Sequence, residues 1–280
     1  MNRRLTTLLL AALTTIATPS VAPAADCVSE FPVNDKRFAN MPCAGAHVGM
    51  SLMVPSLKYG DSECAASFAF KDQFGQRYVT SPGTCFLDYD CLEDAVYNEL
   101  PPPLNEVVPR LPVCIMPSDS ELEPFYKRSG PPVKNLDGRR VGAIVYAVNK
   151  NDVDFALVRI DKGVKLDPSL PVYGGPVKNG AAPAIPTEAY IYSNAMVPLT
   201  ANARSGVLHG GPDFPMVLTD RFGAVNHGTS VMLPNGSAMG YFNGHLSIGG
   251  GYEVKPLGPA LYRASRRTGL KLPLMTGKLK

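Results

Sequence analysis

Four histidines, His47, His209, His227 and His245, are the side chains of this chain whose ordinary titration lies near neutrality. His227 is the one that stands beside a hydroxyl: it opens the stretch HGTSVMLPNGSAMGYFNG, three residues before Ser230. A serine attacks a carbonyl efficiently only when a base takes its proton and a third group orients that base. Two side chains so close on one loop are poorly placed for that transfer, so His227 is expected to be a solvent-facing loop histidine. Other chemistries fail on spacing. No His, Cys or Asp cluster has zinc-ligand spacing. Leu208–Gly211 reads LHGG, like an esterase oxyanion turn, yet the chain has no G-x-S-x-G elbow. Gly249–Gly251 opens no predicted helix and makes no phosphate loop. Asp88, Asp90, Glu93 and Asp94 cluster without the spacing of a calcium loop and read as a solvated acidic loop. No metal or cofactor is expected.

The elements that must position these residues are short. With 26 glycines and 27 prolines in 280 residues, the chain is turn-rich and nearly free of helical periodicity. Strand-like runs bounded by turn residues recur: ASFAF before KDQFGQ, RYVTS, RVGAIVYAV before NKND, DFALVRI and EAYIYS. SVML-PNG-SAMGYF predicts a hairpin in which Asn235 and Gly236 supply the positive φ angles; Asn235-Gly236-Ser237 is also a glycosylation sequon, and the turn is favoured. This spacing predicts an all-β sandwich or barrel. Residues 86–137, proline-rich and acidic, read as a surface insertion. One short helix is expected near the end, from about Pro259 to Thr268, its basic residues suited to the negative end of the helix dipole.

The first residues carry Arg3 and Arg4, then an apolar run from Leu5 to Ala17, then Ala22-Pro23-Ala24. A basic segment, an apolar segment and small residues predict a cleaved export signal over 1–25, too short to span a bilayer. Its removal lowers the formal net charge from +3 to +1, which gives no argument for nucleic acid as a partner. An exported chain with six cysteines, Cys27, Cys43, Cys64, Cys85, Cys91 and Cys114, is expected to form three disulfides. The spacing leaves their connectivity open and favours nearest neighbours, Cys27–Cys43, Cys64–Cys85 and Cys91–Cys114. No later segment predicts a transmembrane helix.

Three stretches, CAASFAFKDQFGQRYVTSPGTC (Cys64–Cys85), VDFALVRID (Val153–Asp161) and His227–Gly244, stand in an order that resembles the chymotrypsin/trypsin-like serine proteases, above all their bacterial secreted branch. EVKPLGPALYRAS resembles that branch's closing segment. The resemblance covers roughly residues 60–268, after an N-terminal extension over 26–59 and before a tail over 269–280. It implies two packed six-stranded antiparallel Greek-key β-barrels and a short C-terminal helix. It places Asp154 at the position of the triad aspartate, Ser230 at that of the nucleophile, and Thr84 where the histidine base belongs. Threonine does not titrate near neutrality and takes no proton from a serine. The resemblance also implies an oxyanion hole from the backbone of Gly228 and Ser230. The aspartate that precedes the serine in active members is Thr229 here, and the following glycine is Val231. Ala224 falls near the floor of the specificity pocket. Without its base, Asp154 is expected to bond Thr84 or a backbone donor.

Three functions follow as expectations. The first is a secreted or envelope-located pseudoprotease that binds a peptide, a protein or a cell-envelope component, because cleft and loops outlast the chemistry. The second is a hydrolase using Ser230 with His227 or a substrate-supplied base. The third is a structural, disulfide-stapled β-protein.

Overall fold

A computed structural model describes residues 45–56, 60–87, 90–92, 113–115, 123, 125–127, 130–150, 152–193, 203–211, 214–219, 227–245 and 251–280. The segment of the expected export signal, Cys27, Cys43, Ala224 and most of the 86–137 insertion, with Asp88, Glu93 and Asp94 of its acidic cluster, lie outside the described residues.

The first half of the chain forms an antiparallel sheet. β2 (Ser51–Ser56), β3 (Gly60–Ala65), β4 (Ala69–Lys71), β5 (Arg77–Ser81), β8 (Pro132–Lys134), β9 (Arg140–Lys150) and β10 (Val153–Ile160) lie in the order β3-β2-β8-β9-β10-β5-β4. The runs RYVTS and DFALVRI occupy β5 and β10, as strand-like runs bounded by turn residues predict. β9 and β10 are joined by a tight hairpin in which Asp152 takes a left-handed φ of 61°. Short polar side chains tolerate that conformation. Around this sheet, β1 (Ala46–His47) runs parallel to β11 (Leu166–Asp167). β6 (Asp90–Leu92) pairs with β7 (Val113–Ile115) and sets Cys91 directly opposite Cys114. Of the three expected disulfides, Cys64–Cys85 is formed within the described residues.

The second half closes. β13 (Thr187–Tyr192), β14 (Ala203–Gly211), β15 (Phe214–Thr219), β16 (Ser230–Met232), β17 (Ser237–His245) and β18 (Tyr252–Pro256) form a six-stranded antiparallel ring, shut by the β17–β18 pairing. β12 (Lys178–Asn179) runs parallel beside the start of β17. The β16–β17 hairpin stands where PNG predicted it, with one difference: Gly236 alone takes a positive φ, 78°. The Leu233 amide bonds the Ser237 carbonyl at 3.0 Å around a three-residue loop, the form in which only the last loop residue is left-handed. Ala189, Ile191, Leu208, Met216, Leu218, Val231 and Phe242 fill the ring.

The architecture is all-β with one short helix, in two sheet units as expected. The ring is a complete barrel; the first-half sheet has seven strands and its described pairings stay open. The C-terminal helix spans Leu257–Thr268, two residues earlier than predicted. Pro259 sits in its first turn, where amides have no intrahelical acceptor to lose. Gly269, at φ 73°, ends it by donating to the Ser265 carbonyl at 2.9 Å. Leu257, Ala260, Leu261 and Ala264 pack with Phe68, Phe70, Tyr146, Phe155, Leu157 and Tyr241, so the helix covers the seam between the two halves. Residues 269–280 pack back along the molecule. The Met275 amide bonds Ala69 at 2.8 Å, and Lys280 bonds Tyr173 at 3.1 Å.

The helix's basic residues have a specific partner. Arg263 reaches both oxygens of Glu123 at 3.1 and 2.9 Å, Arg267 adds a contact at 3.3 Å, and the Tyr146 hydroxyl donates to Glu123 at 2.7 Å. The Arg263 hydrogen bond, partly opposed by burial, holds the Glu123 carboxyl below its usual range; burial pushes the Tyr146 phenol up. A depressed folded value means that Glu123 contributes stability above the ordinary carboxylate range and loses it as pH falls through that range. The expected outcome is that Glu123→Gln costs about 2 kcal/mol near pH 7, with the difference from wild type shrinking as pH falls below the ordinary carboxylate range, read from urea unfolding at several pH values.

Candidate functional site

β5 leads through Pro82, in extended conformation, into a single 3-10 turn, Gly83–Cys85. Only glycine fits at residue 83, because a Cβ there would lie 2.1 Å from the Val148 carbonyl oxygen and 2.7 Å from that of Phe155. The turn therefore presses against the β9–β10 hairpin and delivers Thr84 to Asp154. The Thr84 amide donates to Asp154 Oδ1 at 2.7 Å, and its hydroxyl donates to Oδ2 at 2.9 Å. The expected Thr84–Asp154 bond is present twice over.

Asp154 is buried near the start of β10. Along that strand Phe155 and Leu157 face the helix seam, while Ala156, Val158 and Ile160 face the first-half core. The two-residue period puts Asp154 with the second set. Burial raises its carboxyl above the ordinary value, opposed by His227 and then by the Thr84 and Gly83 donors. Its backbone carbonyl accepts the hydroxyl of Tyr241 from β17. Complete burial, with Asp154 adding to it, pushes that phenol well above its usual range.

His227 belongs to this site, contrary to the expectation of a free loop histidine. Its Nε2 lies 3.6 Å from Asp154 Oδ2, and the side chain is 24% exposed. The backbone fixes it there. The His227 carbonyl accepts the Ala65 amide at 2.7 Å, the Gly228 carbonyl accepts the Ser67 hydroxyl at 2.6 Å, and the Gly228 amide donates to Phe242 at 2.8 Å. Nε2 also lies 2.9 Å from Asn243 Oδ1; Asn243 Nδ2 donates to Glu253 at 3.2 Å, and Lys255 pairs with Glu253 at 2.8 Å. On the other edge of the ring, Nδ1 is 3.9 Å from Cys85 Sγ. An imidazole carried by the segment before β16 thus faces the aspartate that Thr84 also bonds. Asn243, Glu253, Lys255 and Tyr241 were not read from the sequence, because they lie on β17 and β18, whose pairing alone brings them to His227.

Ser230 does not join them. It begins β16 opposite Tyr241 and is completely buried. Val231 points into the ring core and Met232 into the first-half core, so alternation turns Ser230 away from the ring interior. Among the described residues its hydroxyl has no hydrogen-bond partner. Of the implied oxyanion hole, the Gly228 amide is engaged by the Phe242 carbonyl at 2.8 Å, just before β16. Of the other histidines, His47 is buried with Nδ1 2.7 Å from the Val48 carbonyl, and His209 pairs with Thr219 at 2.9 Å across β14–β15. The side chain of His245 lies outside the described residues. Cys64, Cys85 and His227 bring ligand-type atoms within 4.8 Å of one another, but the two sulfurs are joined to each other.

Two variants check this geometry. Removing a buried hydroxyl that lacks a partner relieves about 1 kcal/mol or leaves stability unchanged, so Ser230→Ala is expected to hold or raise the urea midpoint. Gly228 has φ 92°, and a Cβ there would stand 2.5 Å from Pro82 Cδ and 2.7 Å from the Ala65 carbonyl oxygen. Gly228→Ala is therefore expected to lose about 2 kcal/mol or more in the same measurement.

No protein-family model matches this chain, and no curated protein matches it. Similar solved structures include Thermobifida fusca Protease A, 13% identical over 82% of this chain and 100% of that one, with a TM-score of 0.49. A Nocardiopsis protease is 14% identical over 81% of this chain and 100% of its own, with a TM-score of 0.47. A glutamic acid-specific serine protease is 16% identical over 80% and 98%, with a TM-score of 0.48.

Proposed function

We propose that this chain is an exported pseudoprotease, a trypsin-like double barrel that binds a peptide, protein or cell-envelope ligand and does not hydrolyse it by the serine route. The observation that carries the reading is the state of Asp154. Its two carboxylate oxygens take the amide and hydroxyl of Thr84, the residue at the position of the missing base. His227 reaches the same carboxylate, but the nitrogen that faces it also faces Asn243, and the other faces a disulfide sulfur. Neither ring nitrogen is directed at a hydroxyl among its described contacts. Ser230 is buried at 0% exposure, out of reach of a substrate carbonyl. In serine hydrolases the loss of the base alone costs roughly 10⁶ in turnover.

The export signal, the six cysteines and the formed Cys64–Cys85 bridge support placement outside the reducing interior of a cell. Labelling of the mature protein with a fluorophosphonate, read by peptide mass spectrometry, is the direct test. The expected outcome is no adduct at Ser230. A stoichiometric adduct there would mean that the strand opens to expose an activated serine, and the binding reading would give way to a hydrolase.

A further inference from the structure

The turn between β4 and β5 holds an aromatic ring out in water. Phe74, at its tip, is 81% exposed. The turn is built firmly around it. Buried Asp72 accepts the Phe74 and Gln76 amides on Oδ1 at 2.8 and 2.9 Å, and the Tyr78 hydroxyl on Oδ2 at 2.8 Å. Gly75 supplies the left-handed φ of 84°. The turn's own carboxylate is thus consumed inside it. A single exposed phenylalanine is ordinary, but this one has neighbours of a particular kind. Gln73 clamps the turn to the end of the C-terminal helix: its Nε2 donates to the Gly269 carbonyl at 3.4 Å, and its Oε1 accepts the Lys271 amide at 2.8 Å. Tyr262, Arg266 and Gly269 follow the i, i+4, i+7 spacing of one helix face, about 10 Å long. Tyr262 is 66% exposed, and Arg266 donates to its hydroxyl at 3.3 Å. Lys71 bonds Pro273 through its amide at 3.2 Å and lays its side chain beside Gly75. Among the described residues, Lys71, Arg266 and Lys271 pair with no carboxylate, and the sequence holds no acid after Glu253.

We propose that this face docks on the surface of an anionic lipid bilayer. Phe74 enters the boundary between headgroups and acyl chains, Tyr262 lies at headgroup level, and Lys71, Arg266 and Lys271 meet lipid phosphates. Charge complementarity calls for an anionic occupant, because the face carries unpaired cations and no exposed acid. The phenylalanine selects a bilayer over a soluble polyanion. Its ring has no polar atom to offer, and it gains most where apolar material lies just behind a layer of negative charge. Tyrosine, apolar in its body and polar at its tip, suits the layer between. The turn that carries Phe74 is already fixed by Asp72 and Gln73, so insertion requires no ordering of its backbone. This face uses no residue of the Asp154–His227 node, and the proposal holds whether or not the chain hydrolyses a substrate.

The test is co-sedimentation of the whole mature protein with vesicles of equal parts phosphatidylglycerol and phosphatidylcholine, against vesicles of phosphatidylcholine alone. Binding is expected on the anionic vesicles and is expected to weaken as salt is added. Phe74→Ala is expected to weaken it about tenfold, and Arg266→Gln combined with Lys271→Gln about thirtyfold. All three side chains are exposed, and circular dichroism checks that the variants fold. The chain has no tryptophan, so Phe74→Trp places one reporter at the tip. Its emission is expected to shift to the blue on the anionic vesicles and to be quenched by lipids brominated on their acyl chains. No binding to the anionic vesicles, equal binding to phosphatidylcholine alone, or unchanged affinity in the folded variants would each overturn the proposal. Salt-sensitive binding without quenching of the Phe74→Trp reporter would also overturn it, and would assign the cations to a soluble polyanion.

Discussion

A carboxylate withdrawn from water must be neutralised or supplied with donors, and Asp154 shows both remedies at once. Thr84 gives it two hydrogen bonds from the 3-10 turn after β5, and His227 brings an imidazole nitrogen to 3.6 Å from it from the loop before β16. Tyr241 of β17 fastens the backbone carbonyl of the same residue. Three separated segments, two of them from the second barrel, therefore converge on one residue of the first. The glycines that permit this approach, Gly83 and Gly228, leave no room for a side chain. The halves are held in register by a polar node as well as by the apolar seam of Phe68, Phe155, Leu157 and Tyr241.

The same node sets which polar groups the imidazole can serve. In a serine triad the imidazole stands between carboxylate and hydroxyl, with one nitrogen for each. Here the carboxylate-facing nitrogen of His227 also meets Asn243, and its other nitrogen meets the sulfur of Cys85. Ser230 is governed by the two-residue period of β16 rather than by the histidine: with Val231 committed to the ring core, its neighbour must face the other way. The amide of Gly228 donates to the Phe242 carbonyl, two residues before β16 begins. One short segment, 227–230, thus sets the places of the imidazole, the Gly228 amide and the Ser230 hydroxyl together.

A second polar node secures the other side of the seam. Glu123 gathers Arg263, Arg267 and the hydroxyl of Tyr146, which docks the C-terminal helix on β9 through more than its apolar face. The helix in turn covers Phe155 and Leu157, the residues that alternate with Asp154 and Ala156 along β10. Support for the site therefore reaches it through the strand that bears its carboxylate, and the tail beyond Gly269 closes over β4.

Much of this was written in the order of residues. Strand-like runs bounded by turn residues marked β5, β10 and β13, and Pro-Asn-Gly marked the β16–β17 turn. These are local properties: strand period, turn conformation and side-chain chemistry act over a few residues. The pairing of Asp154 with Thr84 was also legible, because a buried carboxylate without its usual partner takes the nearest donor. What the sequence could not carry was the place of His227. Three residues from Ser230 along the chain, it looked like part of the same loop with the same exposure. Its backbone is instead bonded to Ala65 and, through Gly228, to Ser67, residues more than 150 positions away. Likewise Asn243 and Glu253 come to it only because β17 and β18 close the ring. Tertiary structure decided which polar groups share the buried space, since that depends on which strands become neighbours, and neither period nor composition records it.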